Sequence, residues 1–147
     1  MKKLEKEVFL FVYGSMKKNF RNHSRLENDC YIGNATTINM YNLHPANSFR
    51  YPYCIESEKI WAIYGELYKL TCTKIEDIDI YEGALDYYYR KKISVSCKEK
   101  NYNAFIYFKT NNTGIEKDIS LNKWTTKFEY VGEKNDEFLE ALRVALT

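Results

Sequence analysis

Val8 to Tyr13 reads VFLFVY, an unbroken apolar and aromatic run, and Gly14-Ser15 ends it at once. A run this short can neither cross a membrane nor form the core of a signal peptide. With no polar position to face water on either side, it predicts a first β-strand buried on both faces. The chain must therefore supply a sheet around it. Tyr31 to Leu43 (YIGNATTINMYNL) alternates well enough for a second strand, with Gly33 as a bulge or a point of close approach. Ile60 to Leu70 (IWAIYGELYKL) is a stronger one, with Trp61, Ile63, Gly65 and Leu67 on one face and Ala62, Tyr64, Glu66 and Tyr68 on the other. Arg90 to Cys97 and Tyr102 to Phe108 predict a hairpin turning over Lys98 to Asn101.

Between these strands the period changes. Thr73-Lys74-Ile75-Glu76 has the form of a capping box, in which hydroxyl and carboxylate satisfy each other's free N–H groups. Ile75, Ile78 and Glu82 follow at i, i+3 and i+7, and Gly83 supplies a stop, which predicts a short helix of two to three turns. His44 to Tyr53 holds both prolines, Pro45 and Pro52, and reads as irregular chain. Asn111 to Gly132 is polar and weakly patterned. Asn135 to Leu146 carries an amphipathic helix with Phe138, Leu139, Leu142 and Leu146 on one face. No repeats or low-complexity tracts occur, and 147 residues fit one α+β domain, 1–147.

Composition narrows the function. Aromatic residues make up 16% of the chain, with 14 tyrosines, which suits strands and the walls of a polar-edged cavity. The net charge of +2 comes from interspersed signs, so no basic stripe points to nucleic acid, and no segment points to a membrane. Cys30, Cys54, Cys72 and Cys97 are widely and unevenly spaced, without a CxxC pair, and His23 and His44 are the only histidines. That excludes the usual structural zinc patterns and predicts reduced, mostly buried thiols in a cytoplasmic protein. Phosphate loops, dinucleotide fingerprints, HExxH and GxSxG are all missing, and Ser15 has no His–Asp partnership in sequence.

Two features carry chemistry. Glu82 falls where the apolar face of Ile75 and Ile78 would continue into the core. Partial desolvation and the negative end of the helix dipole both disfavour its charged form, which would move its pKa toward neutrality and suit proton transfer. The alternatives are a solvent-tilted carboxylate or a structural salt bridge to Arg90. The Tyr13-Gly14-Ser15-Met16 turn, at the end of a buried strand, can aim backbone N–H groups at a carboxylate or developing oxyanion. An ordinary strand-to-loop turn accounts for the same residues. His23 could cap the loop or touch a ligand, and one ring of Tyr87-Tyr88-Tyr89 could line a pocket.

The order of the elements is more specific than any one of them. FVYGSMKK, Asn22-His23, YIGNATT, Tyr51-Pro52, IYGELY, and DIYEG followed by Tyr88-Tyr89-Arg90 together resemble the γ-glutamylcyclotransferase-like family, nearest its γ-glutamylamine cyclotransferase branch. The similarity spans about residues 8 to 108. It implies a small, mostly antiparallel β-barrel flanked by short helices, with a cavity at its mouth. It also implies that Tyr13, Gly14, Ser15 and Met16 hold the glutamyl end of a substrate through backbone groups, that Glu82 is the general acid/base, and that Tyr88 lines the pocket. Met16 stands where the family more often has Leu, a volume-preserving change. The expected reaction converts a γ-glutamyl amine or peptide into 5-oxoproline and a free amine, with no cofactor or metal. Its partner is a small molecule, and the sequence leaves the oligomeric state open. A non-catalytic binding or regulatory protein with the same pocket, or an interaction domain using the C-terminal helix, are the competing expectations.

Overall fold

The computed structural model describes residues 6–14, 16–18, 23, 26, 29–82 and 88–125, without the side chains of Tyr81 and Glu82. The C-terminal helix expected over Asn135 to Leu146 lies outside these residues, as do Ser15, Asn22, Gly83 and Tyr87.

The first run forms strand β1, Glu7–Val12. It is followed by β2 (Cys30–Thr37), β3 (Asn42–Pro45), β4 (Pro52–Ile55), β5 (Tyr64–Thr71), helix α1 (Cys72–Glu82), β6 (Tyr88–Cys97) and β7 (Lys100–Lys109). Strands β1, β5, β2, β6 and β7 pair in that order into a closed barrel, and β3 with β4 makes a separate two-stranded sheet. Four pairings are antiparallel, and the parallel contact of Leu10 with Phe105 closes β1 onto β7. Closure gives β1 partners on both edges, β5 and β7.

Side-chain alternation divides the apolar residues into two layers. Phe11, Leu67, Val95, Ile106 and Phe108 fill the barrel together with Leu43 and Ile63. Leu10, Val12, Tyr68, Leu70 and Tyr107 point outward and are covered by Ile75 and Ile78 of α1 and by Met16 and Leu26 of the loop after β1. The outer face of the barrel on that side is therefore a second core.

Several expectations shift in detail. The β2–β5 register slips between Tyr31 and Gly33, which is the predicted bulge, and a Cβ on Gly33 would lie 3.0 Å from Cys97 Sγ. Strand β2 stops at Thr37, and β5 begins only at Tyr64; Ile60 and Trp61 instead bond to Tyr41. Residues 46–51 are irregular as expected, but both prolines lie in strands: Pro45 stands opposite Pro52 at the end of a hairpin. A two-stranded sheet is all edge, so the missing proline N–H groups need not break a ladder. The helix cap is Thr71 rather than Thr73: its Oγ1 accepts from Lys74 N at 3.2 Å, one residue before the helix starts. The β6–β7 hairpin turns on two residues, Lys98 and Glu99, at φ of 50° and 66°. All four cysteines are free; Cys54 and Cys97 are buried, Cys72 is half-buried and Cys30 is exposed.

Candidate active site

Strand β1 delivers Tyr13 and Gly14 to one end of the barrel. Tyr13 is buried, and its hydroxyl donates to the Tyr107 carbonyl at 2.5 Å. Gly14 lies flat against β4: a Cβ there would be 2.9 Å from Pro52 Cδ. Only glycine lets the turn approach Pro52 this closely. The Gly14 carbonyl accepts from Lys17 N at 3.1 Å, and the Met16 carbonyl meets His23 Nδ1 at 2.9 Å. His23 is thus a cap for the turn. The Met16 side chain is buried in the outer core, so that what Met16 can offer a ligand is its backbone. Glu66 fixes the far end of the turn by accepting from Lys18 N at 2.9 Å and from the Tyr68 hydroxyl at 3.0 Å.

Glu82 is the last residue of α1, a helix without a basic residue in its last turn. One turn earlier, Asp79 accepts from the Tyr107 hydroxyl at 2.6 Å and lies 3.2 Å from Arg90 Nη1. Arg90 is thus ion-paired with Asp79, and its guanidinium also stacks 4.4 Å from the Phe105 ring centroid. Tyr107 is the hub of this region. Its carbonyl holds Tyr13, its hydroxyl holds α1, and its ring meets Tyr88 edge-on at 6.5 Å. Tyr88 in turn lies 5.6 Å from Tyr53, which is 5.4 Å from Tyr51. The Gly14 turn, the end of α1 and a half-exposed tyrosine wall thus share one end of the barrel.

Tyr107→Phe keeps the ring and removes the bond to Asp79. The expected result is a loss of about 1 kcal/mol in urea unfolding. Faster amide exchange should appear over the last turn of α1, while β2–β5 amides are unaffected.

Two further polar clusters are built on Glu56 and Glu58, which line a cavity together with Tyr89 and Lys109. Burial alone would raise the Glu56 carboxyl, but hydrogen bonds from Lys91 and Tyr89 and the charges of Lys91 and Lys59 hold it below the ordinary value. Tyr89 donates to Glu56 at 2.6 Å, and burial together with that carboxylate pushes its phenol up. Buried His44 contacts the Ile119 carbonyl through Nδ1 at 2.8 Å and Glu58 through Nε2 at 2.7 Å. Both clusters tie neighbouring segments together, Glu56 to β6 through Tyr89 and His44 to the segment around Ile119. Among the described residues no group of His, Cys, Asp or Glu could hold a metal ion, and no helix is long and apolar enough to cross a membrane.

The sequence singles out Tyr13, Gly14, Ser15, Met16, Glu82 and Tyr88, of which Ser15 and the Glu82 side chain lie outside the described residues. The structure brings Tyr13, Gly14 and Tyr88 to one end of the barrel with the backbone end of α1. The sequence pattern did not bring out Tyr53, Asp79 or Tyr107, although strict alternation through β7 would have placed Phe105 and Tyr107 together on the outer face.

Among the described residues the fold is a small closed five-stranded barrel with one helix packed outside it. Residues 10–126 match the family model "Gamma-glutamyl cyclotransferase, AIG2-like". A protein of Methanocaldococcus jannaschii whose name proposes a gamma-glutamylcyclotransferase is 39% identical over 109 residues, which is 73% of this chain and 88% of that one. The crystal structure of an AIG2-like protein from Mus musculus superposes with a TM-score of 0.67 at 21% identity, covering 71% of this chain and 78% of the mouse chain. A solved structure described as a gamma-glutamyl cyclotransferase gives 0.64 at 17% identity over 96% of this chain and 86% of its own. The chain belongs to the gamma-glutamyl cyclotransferase, AIG2-like family.

Proposed function

We propose that this protein is a γ-glutamyl cyclotransferase that releases 5-oxoproline and a free amine from a γ-glutamyl amine or peptide. The observation that carries the proposal is Tyr107, which joins the strand leading to the Gly14 turn to the helix that ends at Glu82. The backbone N–H groups of Gly14, Ser15 and Met16 hold the glutamyl end folded, so that its α-amine lies against its own γ-carbonyl. Glu82, as a carboxylate, takes a proton from the α-ammonium, and the freed amine attacks the carbon of the γ-carbonyl. The new C–N bond closes a five-membered lactam, and the old amide C–N bond breaks. The two protons lost by the attacking nitrogen end on the departing amine, which leaves as an ammonium ion. One carboxylate can pass each of them in turn. Tyr88 lines the pocket on the leaving-group side. No metal or cofactor takes part in these steps. Residues 1–147 act as one domain, and the four free cysteines fit a reducing, cytoplasmic setting.

The test is release of 5-oxoproline from γ-glutamyl-lysine, γ-glutamyl alkylamines, γ-glutamyl amino acids and glutathione. Product from at least one of them is expected. A panel that yields no 5-oxoproline, while the same compounds raise the melting temperature, would instead identify a binding protein.

A further inference from the structure

Lys109 is the last residue of β7 and is only 8% exposed. Taking an ammonium out of water is costly unless an opposite charge or a full set of acceptors replaces the water. Among the described residues no carboxylate pairs with Lys109. Its Nζ donates to Asn111 Oδ1 at 3.1 Å and lies 5.0 Å from the centroid of the Tyr53 ring. The Asn111 oxygen is shared, since it also accepts from Thr113 N at 3.1 Å and Thr113 Oγ1 at 2.5 Å. An ammonium has three N–H groups to place, and neither a shared amide oxygen nor a π face neutralises its charge.

The position of Lys109 gives that charge a purpose. In the β6–β7 register Lys109 is directly opposite Tyr88, so both side chains leave the same face of the barrel. The Tyr53 ring touches both, and the residue before it, Pro52, is the one that Gly14 packs against. The Gly14 turn and Lys109 therefore stand on either side of the Pro52–Tyr53 segment. A γ-glutamyl amino acid or peptide carries two carboxylates, one on the glutamyl carbon and one on the leaving group. Its two anions match two separate anion-binding features.

We infer that Lys109 is a specificity-determining residue that receives a carboxylate on the leaving group, with Tyr53 and Tyr88 as the walls of that subsite. This rests on the proposed cyclotransferase activity. It favours γ-glutamyl amino acids and peptides over γ-glutamyl derivatives of simple amines.

Two matched pairs isolate the carboxylate: γ-glutamylglycine with γ-glutamylmethylamine, and γ-glutamyl-ε-lysine with γ-glutamylcadaverine. The protein is expected to prefer the carboxylate-bearing member of at least one pair by about tenfold or more in kcat/KM, through KM. Lys109→Met should reduce that preference to about twofold, and Lys109→Arg should retain most of it. A preference that is absent from the unaltered protein, or that survives Lys109→Met, overturns the inference. So does an equal rise of KM for both members of a pair, which would assign Lys109 to the glutamyl carboxylate. Where Lys109→Met does not fold, the preference of the unaltered protein and its response to Lys109→Arg decide the matter. Absence of product from all four compounds overturns the proposed activity instead. Calorimetric binding of γ-glutamylglycine against γ-glutamylmethylamine then still tests the carboxylate subsite, with equal affinities overturning it.

Discussion

Glu82→Gln is expected to leave a folded protein that no longer turns over, with kcat for 5-oxoproline release down by about 10³-fold. The amide keeps the size and shape of the carboxylate but can neither take the proton from the α-ammonium nor return one to the departing amine. In the proposed mechanism binding uses the Gly14 turn and the tyrosine wall, so KM should change little. Stability should hold or rise slightly. Glu82 ends a helix whose last turn has no basic residue and already contains Asp79, so one negative charge fewer at the negative end of the dipole is worth up to about 1 kcal/mol. An inactive variant with an unchanged or higher melting temperature separates chemistry from folding. Glu82→Asp restores the charge on a side chain one methylene shorter. A misplacement of that size costs about 10²-fold, so Asp should fall between Glu and Gln. Turnover by Glu82→Gln at the unaltered rate would remove Glu82 from the mechanism.

Much of this frame was legible because burial leaves strong marks on a sequence. Val8 to Tyr13 lacks a polar residue because β1 is covered on both sides, and Gly33 marks the slip in register opposite Leu67. Other features were hidden for physical reasons. Pro45 and Pro52 signal irregular chain, yet they close a hairpin whose strands have free edges. Thr71 and Thr73 both precede the helical pattern, and the tertiary fold chooses between them. Strand β5 runs to Thr71, and Cys72 N is taken by the Lys6 carbonyl at 3.0 Å, so the helix can begin only there. Tyr107 and Lys109 were obscured because both faces of β7 are covered. Ala104, Ile106 and Phe108 face the barrel interior, while Phe105 and Tyr107 face the outer core. A strand covered on both sides loses the apolar–polar alternation that would have singled out Tyr107 and Lys109. The Glu82 helix face was visible in sequence through Ile75 and Ile78, both buried, but its link to the Gly14 turn passes through a tyrosine 25 positions further on.

Gly65→Ala should be the most damaging single methyl group that can be added to this barrel. Gly65 pairs with Ala35 in β2, and the residue after it, Glu66, pairs with Val12 in β1. A Cβ on Gly65 would lie 2.3 Å from the Val12 carbonyl oxygen and 2.7 Å from two ring carbons of Phe11. In an open strand, replacing glycine by alanine gains up to about 1 kcal/mol from the unfolded chain. Here the clash dominates, with an expected net loss of about 3 kcal/mol, at the upper end for overpacking. For a chain of this size that lowers the melting temperature by about 6 to 12 °C. The two clashes can be separated. Phe11→Leu draws back the ring but not the Val12 carbonyl, which is backbone within the β1–β5 ladder. The double variant should therefore recover little of the lost stability, whereas nearly full recovery would show that the ring alone was at fault. On the proposed mechanism the carbonyl also couples this site to function, because Val12 is followed by Tyr13 and the Gly14 turn. Forcing β1 away from β5 at Val12 moves the turn relative to α1. Folded Gly65→Ala protein should accordingly lose kcat/KM for γ-glutamyl substrates at temperatures well below its own unfolding transition.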